Sequence, residues 1–159
     1  MKYRFSERGA SAVEFALILP VLIIILFGII EFSLIMYDKA MVTNASREGA
    51  RAGIVYRQTY NETTKEMEYK PLDDAGIRDV VNGYLGAYLI SFKPGSVQFP
   101  PFFPRVPDPA KPLDTLLTVT VTYEYHWLLL PRFVSGLVGG GGGLTLSATT
   151  VMRMEMENH

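Results

Sequence analysis

The sequence predicts an α+β protein: a long N-terminal transmembrane helix continuing into a small extracytoplasmic domain with one helix packed on a short antiparallel sheet. Three observations carry this. An uncharged apolar run, FALILPVLIIILFGII, covers Phe15 to Ile30. Apolar residues near helical spacing run from Leu72 to Phe92. Two segments, Leu117 to Tyr125 and Leu144 to Glu157, alternate with period two. At 159 residues the chain holds one ordinary domain, or a smaller domain plus an anchor, and is too short for a multidomain enzyme.

With Ala10 to Val13 ahead of it, the apolar run reaches 21 residues, interrupted only by Glu14. About 20 helical residues at 1.5 Å each cross the ~30 Å hydrocarbon core of a bilayer. A buried core helix would keep a polar face, whereas this run has Leu, Ile and Val on every side. A cleaved secretory signal is the other competitor, because Lys2, Arg4 and Arg8 precede the run. The run is longer than such signals carry, and EFSLIMY after it is bulky where a signal peptidase needs small residues. The basic tail assigns the N-terminus to the cytoplasm and the C-terminal domain to the exterior, although Lys39, Arg47, Arg51 and Arg57 reduce the asymmetry.

The organisation that follows is a leader at 1–9, a transmembrane helix at 10–36, an extracytoplasmic extension of that helix at 37–56, and the small α+β domain at 57–159. Composition excludes several function classes. A net charge of -1 lacks the basic surplus of a nucleic-acid binder. Without Cys there are no disulfides, thiol nucleophiles or cysteine-ligated metals. His126 and His159 are the only imidazoles, and no HExxH spacing exists, so neither a metal nor another cofactor is expected.

Glu14 sits inside the apolar stretch, where a carboxylate costs about 2.5–3.5 kcal/mol on insertion scales. The residues leave two readings open. A cut between Gly9 and Ala10 would create an α-amine four residues before Glu14, on this helix or a neighbouring subunit's. Otherwise Glu14 marks the inner interface and snorkels to the headgroups.

Arg8-Gly9-Ala10-Ser11-Ala12-Val13-Glu14-Phe15, followed by an all-apolar helix with Pro20, resembles the type III signal sequence of type IV pilins and pseudopilins. More narrowly, RGASAVEFALILPVLIIILFGIIEF and the later SREGARAG resemble the TadE-like family, pseudopilins of the Tad, or Flp, pilus assembly system. The resemblance extends more faintly to VTVTYEYHWLLLP and SATTVMRMEME. It implies that a prepilin peptidase cuts between Gly9 and Ala10 on the cytoplasmic side, with Glu14 as the processing and assembly glutamate. It also implies a single-pass protein of the bacterial inner membrane whose partners are the membrane, the peptidase, and other Tad pilus components and pseudopilins. Phe15 stands where the major Flp pilins usually have Tyr, and those pilins lack a sizeable C-terminal domain, which favours a minor pseudopilin. No DxSxS motif of the longer TadG-like relatives occurs; the TadF-like sister group shares the N-terminal pattern.

Pro20 cannot bond back to Ala16, so the helix is expected to bend or loosen there. Glu31 ends the apolar run at the outer interface, where hydration is expected, with Lys39 of a neighbouring subunit as the other partner considered. Phe32 to Gly53 contains no Pro, so one helix runs from about Ala10 to Gly53, roughly 66 Å. Ala45, Gly49 and Gly53 recur every fourth residue and present a small-residue face for close packing, on the chain's own sheet or on another pseudopilin.

In the outer domain, Asp73 and Asp74 suit the first turn of the second helix. Ser96 to Phe99 reads as a short strand. The stretch 100–112, with six prolines, reads as a packed surface loop rather than a docking surface for its Phe99, Phe102 and Phe103. Leu117, Val119, Val121, Tyr123 and Tyr125 form one apolar strand face, and the two alternating segments pair antiparallel. Gly139 to Gly143 forms a flexible loop, and no GK[ST] follows to make a phosphate loop. Glu124 and His126 are read as a solvated polar face rather than an acid–base pair, and Asp73, Asp74 and Asp79 as helix surface. Asn44 and Asn61 begin glycosylation sequons that occur commonly by chance. No enzymatic activity and no small-molecule substrate are expected. An uncleaved, membrane-tethered binding or sensor protein is the alternative.

Overall fold

The computed structural model describes residues 7–90, 93, 96–129 and 143–154. The expected leader up to residue 6, the end of the expected second helix at 91–92, glycines 139–142 and the end of the last expected strand at 155–157 lie outside these residues.

Helix α1 runs from Glu7–Ile54, continuous through Pro20, and its 48 residues reach about 72 Å. Every Val, Ile, Leu and Phe from Val13 to Ile30 is exposed, and the helix is long and apolar enough to cross a membrane. From Glu31 onward the pattern changes. Glu31, Ile35, Asp38, Val42, Ala45, Gly49 and Ala52 are buried, alternating steps of four and three that trace one face of a helix.

That face packs on two partners. One is α2 (Asp74–Tyr88), which buries Ile77, Val81 and Leu85. Its N-cap is Asp73, whose Oδ1 accepts the Gly76 N–H at 2.9 Å, and its last turn closes when Leu89 N–H donates to Leu85 O. The other partner is the sheet centred on β5 (Lys111–Tyr125), in which Leu117, Val119, Val121, Tyr123 and Tyr125 are wholly buried. Strand β6 (Leu144–Arg153) lies antiparallel along one side of β5, from Leu116↔Arg153 to Tyr125↔Leu144. Strands β3 (Val97–Gln98) and β4 (Arg105–Asp108) share its other side end to end. Outward hydroxyls pair across the ladder, Thr120 with Thr149 at 3.0 Å and Thr122 with Ser147 at 3.4 Å.

The expected small-residue face packs within the chain. A Cβ added at Gly49 would lie 2.6 Å from Val81 Cγ2, and one at Gly53 2.6 Å from Leu117 Cδ2. Both glycines let α1 approach α2 and the sheet more closely than any side chain permits.

Two features depart from the sequence expectation. The proline-rich stretch is not wholly a loop: Arg105–Asp108 pairs with β5, with a register shift at Pro107/Asp108. Pro107 is tolerated because β4 is an edge strand, where a missing N–H costs no ladder bond. Lys111 and Pro112 already belong to β5, and the start of the stretch is clamped to α2: Arg78 Nη2 donates to Pro100 O and Pro101 O at 2.9 and 2.7 Å, and its guanidinium lies over the Phe99 and Phe103 rings. The second departure is a hairpin of β1 (Tyr56–Asn61) and β2 (Glu66–Pro71) that no alternating pattern announces. Its turn is set by the Asn61 side chain, which accepts the Thr63 N–H at 2.9 Å, and by Lys65 at φ 61°. Asn61, one of the two sequon asparagines, is thus a turn residue.

Candidate functional site

The residues expected to carry processing lie together at the start of α1. Gly9, Ala10 and Glu14 are all exposed, and a Cβ at Gly9 would meet nothing within 4 Å. The Gly9–Ala10 bond lies in helical backbone near the start of the described part of α1. Glu14 follows one helical turn after Ala10, which puts its carboxylate on the same face as the Ala10 nitrogen.

Glu31 overturns the expectation of a hydrated interfacial acid. It is 1% exposed. Its Oε1 accepts from Tyr125 Oη at 2.7 Å and from the Leu128 N–H at 2.9 Å, and its Oε2 accepts from the Leu129 N–H at 2.7 Å. A carboxylate taken out of water needs such donors, and bonds to an ionised acceptor are about twice as strong as neutral ones. Glu31 therefore staples the end of the apolar run to the loop that leaves β5. Lys39, considered as its partner, instead donates to Ser147 O on β6.

The staple acts back on its donor. Burial, then the hydrogen bond to Glu31, then the charges of Glu31 and Asp38 and the proximity of Tyr123 push the Tyr125 phenol well above its ordinary value. Asp38, two turns after Glu31 on the same face, is also buried. The Tyr125 ring meets Trp127 edge-on at 6.2 Å. The local signal for this cluster is the spacing of seven between Glu31 and Asp38, which continues into the small-residue stripe.

Asp74 is also more than surface. It accepts the Phe103 N–H at 3.0 Å and Arg105 Nη1 at 2.7 Å, tying α2 to the proline-rich segment. Burial opposes ionisation there, but the bonds from Arg105 and Phe103 and the charges of Arg105 and Arg78 hold its pKa below the usual value. Glu124 is half-buried near the end of β5, and His126, also half-buried, follows the last residue of that strand. Among the described residues no three His, Asp or Glu side chains are grouped to hold a metal. A shallow depression between the hairpin and the start of α2 is lined by Arg57, Thr59, Lys70 and Asp73.

No curated protein and no solved structure matches the chain. Residues 9–51, which contain Gly9, Ala10, Glu14 and Glu31 and run past Gly49, match the family model described as TadE-like protein, the family that the N-terminal residues resemble.

Proposed function

We propose that the protein is a TadE-like minor pseudopilin involved in assembly of Tad/Flp pili, without enzymatic activity. The TadE-like match over residues 9–51 carries this reading, because it covers the exposed apolar helix and the Gly9-Ala10-Glu14 group at its start. In this reading α1 crosses the bacterial inner membrane once, with the N-terminus cytoplasmic and the α+β domain outside. A prepilin peptidase hydrolyses the Gly9–Ala10 amide, leaving the Gly9 carboxylate on the leader and an ammonium on Ala10. That ammonium lies one turn from Glu14, so processing supplies the cation that a carboxylate in an apolar helix needs. On a neighbouring subunit at the same depth, the same pairing would set the stagger between helices during assembly. The outer domain makes the specific contacts with other pilus components.

The test is the intact mass and N-terminal sequence of the protein recovered from membranes, with and without a co-expressed prepilin peptidase. A peptidase-dependent N-terminus at Ala10 is expected, and Glu14→Ala should impair pilus assembly while leaving the outer domain folded. Retention of residues 1–9 beside an active cognate peptidase would sink the processing claim and favour a tethered binding protein.

A further inference from the structure

We propose that the rim of the outer domain around Glu31 seats in the headgroup region of the bilayer, so that the domain is moored to the lipid surface as well as tethered by its helix. This rests on α1 spanning the membrane. The Glu31 hydrogen bonds set the depth. Glu31 is the first residue beyond the apolar run, and the Leu128 and Leu129 amides lie 2.9 and 2.7 Å from its carboxylate oxygens. Both residues are therefore held level with the end of the span. A headgroup region extends about 5–8 Å beyond the hydrocarbon on each side.

The side chains at that level suit lipid. Leu128 is 51% and Leu129 40% exposed, and Phe32 on α1 is 61% exposed. Trp127 beside them is half-buried, an aromatic with an apolar body and one N–H, the type enriched at membrane interfaces. The end of α2 joins the rim. Tyr37 Oη donates to Tyr88 O at 3.0 Å, and the Tyr37 side chain leans back toward the start of α1, as helical side chains do. Tyr88 and Ile90, 52% and 61% exposed, are thus drawn toward the span. By contrast, the outer face of the sheet presents Thr120, Thr122, Ser147 and Thr149, suited to water. Lipid is the occupant because the bilayer crossed by α1 already surrounds the helix at this height. A protein partner would first have to displace it.

Trp127 is the only tryptophan, and the chain has no cysteine, so both needed probes are unambiguous. The full chain is reconstituted into phosphatidylcholine and phosphatidylglycerol vesicles containing lipids brominated either near the headgroup or near the acyl-chain ends. Leu22→Cys, labelled with an environment-sensitive dye, reports separately whether the span is inserted. With the dye in hydrocarbon, headgroup-proximal bromines should lower Trp127 emission roughly twofold, more than deep bromines do, with little quenching by aqueous iodide. Leu128→Asp with Leu129→Asp should weaken the lipid quenching. If the dye reports hydrocarbon while Trp127 is quenched by iodide and not by lipid, the mooring is wrong and the span stands. Trp127 shielded from both quenchers would mean that this chain or a second copy of it, and not lipid, covers the rim, and would also overturn the mooring. A dye in water would remove the span and the mooring together.

Discussion

Between Gly9 and Ile30, α1 presents apolar side chains to its surroundings on every side; between Glu31 and Ile54 it buries one stripe and exposes the rest. The backbone is one helix throughout, so the difference comes from side chains and what meets them. Each half holds an acid in an unfavourable place. Glu14 is exposed on the apolar half, whereas Glu31 is enclosed by three donors from the far end of the chain. Each half also holds glycine: Gly28 faces open space, while Gly49 and Gly53 touch Val81, Ile77 and Leu117. The same residue types thus do different jobs. In the first half they await a membrane or another chain, and in the second they are already satisfied within this one.

The largest effect should come from breaking the enclosed acid. Glu31→Ala leaves the Leu128 and Leu129 N–H groups and the Tyr125 hydroxyl without their acceptor, at about 1–3 kcal/mol for each donor that water cannot reach. A loss of about 3 kcal/mol in the stability of the α+β domain is expected from urea unfolding of the full chain in nanodiscs, followed by Trp127 emission. Glu14→Ala in the same assay should leave that stability unchanged. Equal losses from the two substitutions would erase the distinction between the halves. Next in size, Gly49→Val drives a branched side chain against Val81, whose Cγ2 would lie 2.6 Å from the new Cβ. Overpacking of this kind costs about 1–3 kcal/mol, and an unchanged unfolding midpoint would show that α2 yields freely.

Much of this architecture was legible locally. The apolar run is longer than any strand, and the period of two from Leu117 to Tyr125 assigned each side chain to its face before pairing was known. Gly9, Ala10 and Glu14 form one short contiguous pattern. The hairpin was invisible because YRQTYN and EMEYKP are mostly exposed on both faces, so no burial pattern marks them. Strand β4 was hidden by Pro107, since an edge position is a property of the neighbouring strand and not of the segment itself. The Glu31 staple joins residues 94 to 98 positions apart. Nothing beside Glu31 in sequence announces a donor, and only the packing of the sheet on α1 brings the loop after β5 back to the helix.

A subtler break is Tyr125→Phe, which removes the phenol donor to Glu31 and keeps the Leu128 and Leu129 N–H groups. The expected loss is about 1–1.5 kcal/mol near neutral pH. Its pH dependence separates the hydroxyl from the ring. Folding raises the Tyr125 pKa above its ordinary value of 10.0, so the folded chain holds this proton more tightly than the unfolded chain. The resulting stability is fully present below pH 10 and declines as pH rises above it. Wild type should therefore lose stability more steeply than Tyr125→Phe through that alkaline range, and parallel profiles would place the phenol outside the staple.

The smallest effect should come from Gly28→Ala. Nothing lies within 4 Å of a Cβ there, and alanine favours helix by about 1 kcal/mol over glycine in water. The first half of α1 makes no part of the buried stripe, so the α+β domain should unfold at the same urea concentration as wild type. Pilus assembly is the more informative readout. A glycine in a membrane helix permits another helix to come close, and a methyl group at that point would hold it away. If Gly28→Ala lowers assembly while stability stays constant, the apolar half contacts another subunit at this position. If neither changes, Gly28 faces lipid, and the sites where the helix meets its neighbours lie nearer Glu14.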